Sequence, residues 1–483
     1  MIKHFFFTTV LAAAVFSAVA QQPTSAPAPV YPLPNAQQLA WHEMEMNAFV
    51  HFTVNTFTDR EWGNGDESET VFNPSAADPG QWARVLKQAG CKTLILTCKH
   101  HDGFCLWPSQ YTEHSVKKSP WKNGHGDLVK ETSDACKKYG LHFGIYLSPW
   151  DRNRADYGTP AYITYYRHQL KELFTRYGPV FEMWFDGANG GDGYYGGARE
   201  KRIIHGATYY DWSTTLALVR SLQPNVLFFS DAGPGVRWVG NERGQAGTTN
   251  WNTITTDTLY AGKPGMETLL NTGSPDGKSW VPAEVDVSIR PGWFYHAKED
   301  AQVKTPQQLF DIYLSSVGRG STLLLNVPPD RRGLFHENDV RALQGFRKLL
   351  DSVFAHNLAL RKPVTASGYR GHAAAFAPAN LTDGNKSTYW ATDDNQLSGS
   401  FTIDLGQPRT VQYIVLQEYI RLGQRVKAFT VEAWTGKAWE KIADASTIGY
   451  KRILKVAPVK AGKIRVRIQD TRACPVISNA EVY

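Results

Sequence analysis

The strongest constraint on the fold is a run of large apolar residues that ends in one carboxylate and then in small residues. It reads Phe181-Glu182-Met183-Trp184-Phe185-Asp186-Gly187-Ala188-Asn189-Gly190-Gly191. A buried strand can hold a chemical group rigidly, and a glycine-rich exit leaves room for another molecule to approach it. The pattern repeats along the chain. Leu94-Ile95-Leu96 runs into Lys99-His100-His101-Asp102-Gly103, and Phe143–Leu147 into Ser148-Pro149-Trp150-Asp151. Val226–Phe229 reaches Ser230-Asp231, and Leu323–Leu325 reaches Asn326. Short apolar strands that end repeatedly in polar residues are the arrangement expected at the C-terminal mouth of a (β/α) barrel.

The 483 residues are enough for two or three domains. Residues 1–20 read as a signal peptide. Lys3 and His4 precede an apolar run from Phe5 to Val19, and Ala18-Val19-Ala20 offers small residues for cleavage before Gln21. About fifteen apolar residues are short for a membrane span, so the chain is expected to be exported, periplasmic or secreted. Residues 21–34 read as a Pro-rich disordered leader. Five cysteines, without a Cys-x-x-Cys pair, make neither a disulfide framework nor a thiolate metal site. The net charge of +7 is concentrated from Asn357 onward, where 18 Lys/Arg face 10 Asp/Glu. Lys463, Arg465 and Arg467 alternate as on a solvated sheet face, and no nucleic-acid motif accompanies them.

From residue 35 to 356 strand-like and helix-like segments alternate, the α/β pattern. Candidate strands are Ala48–Thr53, Thr93–Thr97, Phe143–Leu147, Glu182–Phe185, Val226–Phe229 and Thr322–Leu325, with two more expected near Gly247–Trp251 and Ala283–Arg290. Pro79–Ala89 and Asp127–Tyr139 are helical, and Asn338–Phe354 closes the domain. Eight strands over this length predict a (β/α)8-like barrel. From residue 357 to 483 helical periodicity gives way to short alternating strands at Gly399–Asp404, Val411–Leu416, Ala428–Trp434, Arg452–Val456 and Lys463–Ile468. An antiparallel β-sandwich is expected there.

Fifteen tryptophans, many beside polar strand ends, suit stacking on the C–H face of a sugar, although Trp82 inside a helical run reads as core. A glycosidase needs two carboxyl groups, one as nucleophile or base and one held protonated as acid. Asp186 is the nucleophile candidate. Glu242, in the Gly-bounded loop Gly240–Gly244 next to Trp238, is a candidate acid, and Asp231 is its rival; spacing alone does not separate them. His100-His101-Asp102 resembles a metal cluster, but adjacent residues on a strand diverge, so bonding to sugar hydroxyls is the better reading. No cofactor is required for that catalysis.

Taken together, these residues resemble the α-L-fucosidases of glycoside hydrolase family 29 over residues 35–356. The resemblance rests on Asn47–Phe52, Glu61-Trp62-Gly63, Lys99–Phe104, Met183–Gly187 and Leu325–Pro329. It implies a retaining mechanism with Asp186 as nucleophile and a fucose pocket of His51, Glu61, Trp62, His100, His101, Tyr146 and Trp184. Trp238–Glu242 and Ser288–His296 resemble the branch that prefers α-1,3/1,4-linked fucose. That likeness makes Glu242 the acid/base and puts Trp293, with Trp280 and Glu284, on the aglycone side; fucosylated, Lewis-type oligosaccharides or glycoconjugates are then the expected partners. One departure is His51-Phe52-Thr53, where many relatives have His-Trp-Gly. A barrel glycosidase for another sugar is the alternative among enzymes. A catalytically silent carbohydrate-binding protein is the other, and it would be expected to have lost one of the two carboxylates.

The tail resembles the discoidin, or coagulation factor five/eight type C, module through Val364–Ser367, Asn380–Gly384, Tyr389-Trp390-Ala391 and Phe401–Gly406. The resemblance implies a structural Ca²⁺ near Asp383, with Glu481 as a second ligand.

Overall fold

Eight parallel strands close on themselves in the computed structural model, which describes Met1 and residues 24–483. They are β1 (Met46–Val50), β2 (Thr93–Lys99), β3 (His142–Leu147), β4 (Glu182–Trp184), β5 (Leu227–Ser230), β6 (Val236–Trp238), β7 (Ala283–Ser288) and β8 (Thr322–Asn326). Each pairs in parallel with its neighbours in sequence, and β1 pairs with β8 to complete the ring. Because side chains alternate along a strand, one set faces the helices and the other fills the barrel. Met183, Val285 and Leu325 pack outward, whereas Phe49, Ile95, Tyr146, Trp184, Phe229 and Leu324 meet inside.

The helix Ala36–Met44 closes the N-terminal end of the barrel. Asn35 caps it in a capping box with Gln38, and Trp41 enters the interior cluster. The helix Pro79–Ala89 starts at a proline and ends at Gly90, whose φ of 101° only glycine adopts easily. Asp127 caps Leu128–Tyr139 by accepting from Lys130 N–H, and Glu337–Val353 follows the last barrel strand.

Two expected features differ. No strand forms at Gly247–Trp251; the sixth barrel strand is Val236–Trp238. Three residues set among glycines carry too little periodicity to be read as a strand, and pairing to β5 and β7 makes them one. The expected leader also differs over residues 24–34. Val30 N–H donates to Leu422 C=O, and Arg370 and Arg425 donate to the carbonyls of Ser25 and Ala28, so this stretch is tied to the C-terminal module. The signal-peptide expectation for residues 1–20 lies outside the described residues, Met1 apart.

The C-terminal module is an antiparallel sheet with its own core around Trp390, Phe401, Phe429 and Ile464. Its two 20-residue strands, Gly399–Glu418 and Arg452–Thr471, pair with each other across register shifts and each absorbs two of the short strands expected. Phe354, after the last barrel helix, packs on Tyr413 and Tyr483 of the module.

Candidate active site

A cavity of about 360 Å³ opens at the C-terminal ends of the barrel strands. Asp186 stands at its edge, two residues beyond β4. Tyr146 donates its hydroxyl to Oδ2 at 2.7 Å, and Ala188 N–H donates to Oδ1 at 2.7 Å. Burial, and then the neighbouring Asp186, push the Tyr146 phenol well above its ordinary value, so it remains a donor. Room for this arrangement depends on Gly187, where a Cβ would fall 1.9 Å from Asp231 Oδ2.

Three histidines line the pocket, and the hydrogen-bond network sets two of their tautomers. Asn326 spends its Nδ2 on Ser288 Oγ and Trp293 C=O, so its Oδ1 accepts from His51 Nδ1–H at 2.8 Å. Ser148 donates to Trp150 C=O and therefore accepts from His101 Nδ1–H at 2.7 Å. Both rings thus turn a bare Nε2 toward the cavity, His101 Nε2 standing 3.7 Å from Asp186 Oδ2. Among the described residues, Nδ1 of buried His100 has no hydrogen-bond partner. Loss of solvent lowers all three, His51 to about 3, His101 to about 4 and His100 well below its usual value. They are neutral imidazoles at neutral pH, suited to exchanging hydrogen bonds with hydroxyl groups.

Glu242 stands across the mouth on the exposed rim and accepts from Trp293 Nε1–H at 3.3 Å. Its pKa is raised, chiefly because the surrounding protein withdraws solvent from the carboxyl; repulsion from Asp186 and Glu61 adds to this, and the Trp293 N–H opposes it. Asp231, the rival acid, also lines the cavity and is pushed to about 7 by burial, but its Oδ2 is held by Gly262 N–H at 2.7 Å.

Glu61, Trp280 and Glu284 take places other than those expected. Glu61 is not among the residues that line the cavity, and its side chain is partly exposed. It accepts from Trp293 N–H at 2.7 Å, Phe294 N–H at 3.2 Å and His296 Nε2 at 2.7 Å, and so fixes the loop that carries Trp293. Burial alone would lower His296, but hydrogen bonds to Asp59 and Glu61 outweigh it and raise its pKa, so it serves as a cation between two carboxylates. Trp280 is buried at the far end of the barrel, its ring edge-on to His42 and its carbonyl accepting from Gln38. Glu284 is buried in the barrel interior and accepts from Trp41 Nε1–H at 3.2 Å and Trp184 Nε1–H at 3.0 Å. Neither touches the cavity, because nearness in sequence to the Ser288–His296 loop places them at the start of β7 and not at its end.

Trp62 and Trp184 do line the cavity, Trp62 half exposed against His101 and Trp150, Trp184 stacked on Phe229 at 3.9 Å. The sequence reading missed Asp286 and Phe49. Asp286 is buried in the cavity wall and accepts from Trp238 Nε1–H at 3.0 Å; burial and then Glu242 keep its carboxyl well above the usual range. Its strand context, Val285-Asp286-Val287, is the available signal: a polar residue between two outward-packed valines must face the barrel interior.

The module gives Asp383 and Glu481 separate surroundings. Asp383 accepts from Asn385 N–H and Thr388 Oγ1–H in its own turn, whereas Glu481 accepts from Asn479 and Tyr483 beside the last barrel helices. Among the described residues no group of three or more His, Cys, Asp or Glu could hold a metal ion. Asp383 and Glu481 thus belong to separate hydrogen-bond networks. Among the described residues, no helix is long and apolar enough to cross a membrane.

The α-L-fucosidase family profile matches residues 24–352, and the F5/8 type C domain matches residues 363–482. The chain is 40% identical to α-L-fucosidase 1 of Arabidopsis thaliana, covering 99% of this chain and 93% of that protein. Among solved structures, a glycoside hydrolase 29 family member from an unknown rumen bacterium shares 45% identity at a TM-score of 0.85, covering 95% of this chain and 78% of that one. A Ruminococcus gnavus GH29 fucosidase in complex with fucose shares 33% identity at a TM-score of 0.86, covering 96% and 97%.

Proposed function

The chain belongs to the α-L-fucosidase family, glycoside hydrolase family 29, and from that premise we propose that it cleaves terminal α-L-fucose with retention, Asp186 as nucleophile and Glu242 as acid/base. The observation that carries this reading is the Asp186 carboxylate, which Tyr146 O–H and Ala188 N–H fix in position at the edge of the cavity that Glu242 faces. An Asp186 oxygen attacks the anomeric carbon while Glu242 gives its proton to the departing glycosidic oxygen, so the C1–O bond to the aglycone breaks as the ester forms. Glu242, now a carboxylate, takes a proton from water, and the hydroxide oxygen displaces Asp186 to release fucose. Tyr146 holds the carboxylate in its attacking geometry, a contribution of orientation.

Fucose carries three hydroxyls and a methyl in place of the 6-hydroxyl. The bare Nε2 atoms of His51 and His101 accept from the hydroxyls, and Trp184 with Phe49 supplies an apolar wall. A sugar lacking one bonded hydroxyl leaves a buried imidazole unpaired and is disfavoured. We also propose a preference for α-1,3/1,4-linked fucose on branched oligosaccharides, supported by the contact between Trp293 and Glu242, which unites the two branch-like segments at one rim. Export from the cytoplasm is proposed from the N-terminal sequence alone.

Chemical rescue tests the two roles. With azide, Asp186→Gly is expected to yield β-L-fucosyl azide and Glu242→Ala the α-anomer. Rescue of Asp231→Ala to the α-anomer, with none for Glu242→Ala, would transfer the acid role to Asp231.

A further inference from the structure

A continuous set of hydrogen bonds runs from the C-terminal module to the strand that leads to Glu242. On the module side Gln424 and Thr447 are almost completely buried. Gln424 Oε1 accepts from Asn252 N–H at 2.8 Å and from Asn252 Nδ2 at 3.0 Å, while its Nε2 donates to Asn250 C=O at 2.9 Å. Thr447 Oγ1 accepts from Asn250 N–H at 3.0 Å. Ser446 meets Thr249 at 2.7 Å, and Arg452 donates to Thr248 C=O at 2.8 Å. The barrel segment 248–252 has no regular secondary structure, so these side chains satisfy backbone groups that a strand ladder would otherwise satisfy.

The same segment grips Arg237 on β6. Among the described residues this fully buried guanidinium meets no carboxylate and is satisfied by oxygen acceptors around it. Nη2 donates to Trp251 C=O at 3.0 Å and to Asn250 Oδ1 at 3.4 Å, Nε to Leu270 C=O at 2.9 Å, and Nη1 to Val281 C=O. A buried cation held by geometry alone cannot lose an acceptor cheaply, so Arg237 locks its strand to segment 248–252. The next residue is Trp238, whose indole N–H binds Asp286 in the cavity wall, and the loop beyond it carries Glu242.

We propose that the C-terminal module is a working part of the active site: Gln424 and Thr447 position Glu242 and Trp238 through Asn250, Asn252 and Arg237. These are positioning residues. This inference rests on the reading of Glu242 as acid. Displacing the acid by a fraction of an ångström penalises protonation of a poor leaving group, while an activated aryl leaving group departs without it.

The test uses the full-length protein with Thr447→Val, Thr447→Ser and Gln424→Met, assayed on 4-nitrophenyl α-L-fucoside and on a fucosylated oligosaccharide with an unactivated leaving group. Thr447→Val keeps shape and removes the acceptor for Asn250 N–H; Thr447→Ser keeps the acceptor. The expected result is a loss of about tenfold or more in kcat/KM, which reports the step that Glu242 assists as acid, for the oligosaccharide with Thr447→Val and Gln424→Met. The loss on the aryl fucoside should stay within about twofold, and Thr447→Ser should restore the ratio. Equal losses on both substrates, or a lowered Tm with an unchanged ratio, would overturn the proposal. Glu242→Gln run alongside separates the two claims. If it shows the leaving-group selectivity and the module variants do not, only the positioning role fails. If it shows none, the acid reading itself fails.

Discussion

Tyr146 on β3 and Asp186, two residues beyond β4, share a 2.7 Å hydrogen bond in which the phenol is the donor. The register that pairs Tyr146 with Trp184 puts the phenol alongside the exit of β4, two residues short of the carboxylate. A neutral donor here stabilises the anion without neutralising it, which a nucleophile requires.

Tyr146→Phe removes that donor and leaves the ring packing on His100 and Trp184 in place. A hydrogen bond to a charged group is worth about 1.5–3 kcal/mol, so kcat should fall about ten- to a hundredfold with little change in Tm. Steady-state kinetics on an aryl fucoside, with thermal unfolding alongside, check this.

The raised pKa of Glu242 keeps its acid form present at higher pH than in an ordinary glutamate. Activity on a poor leaving group is therefore lost as pH rises through that value, giving the alkaline limb of kcat/KM. The Trp293 indole N–H favours the charged form, so Trp293→Phe raises the pKa further and moves the limb up by a few tenths of a pH unit. A limb that moves down instead contradicts the assignment.

Gly187→Ala forces a methyl to within 1.9 Å of Asp231 Oδ2. Either the Asp231 carboxyl, held by Gly262 N–H, or the chain next to Asp186 must shift, with an expected loss of about 1–3 kcal/mol in stability and a much larger loss of activity. Urea unfolding and turnover measured on the same preparation separate the two effects.

Glu284→Ala leaves the buried indole N–H groups of Trp41 and Trp184 without an acceptor, at about 1–3 kcal/mol each. The protein should be markedly less stable, while the ratio of activities on differently linked fucosides stays as it was. A change in linkage ratio would return Glu284 to the aglycone side.

The parts of the site legible in the sequence are those where an apolar run delivers a polar residue: Asp186, His100, His101 and Tyr146 all lie on or just beyond such strands. Val236–Trp238 was illegible because a strand of three residues among glycines has no period to read, and it becomes a strand only through its neighbours. Asp286 escaped notice because one carboxylate in an apolar strand resembles an interruption until closure of the barrel shows which face is inward. Trp280 and Glu284 were misplaced by the opposite error, since a strand of six residues separates the far end of the barrel from its mouth. The ties between the module and segment 248–252 span about 170 to 200 residues of chain and leave no local mark in the sequence.

The nucleophile is the central claim, and trapping it tests the claim most directly. Incubation with a 2-deoxy-2-fluoro-fucosyl fluoride, followed by proteolysis and mass spectrometry, should find the fluorosugar esterified to Asp186, within the peptide that contains Trp184 and Phe185. A label on Asp231, Glu242 or Asp286, with Asp186 unmodified, would contradict it.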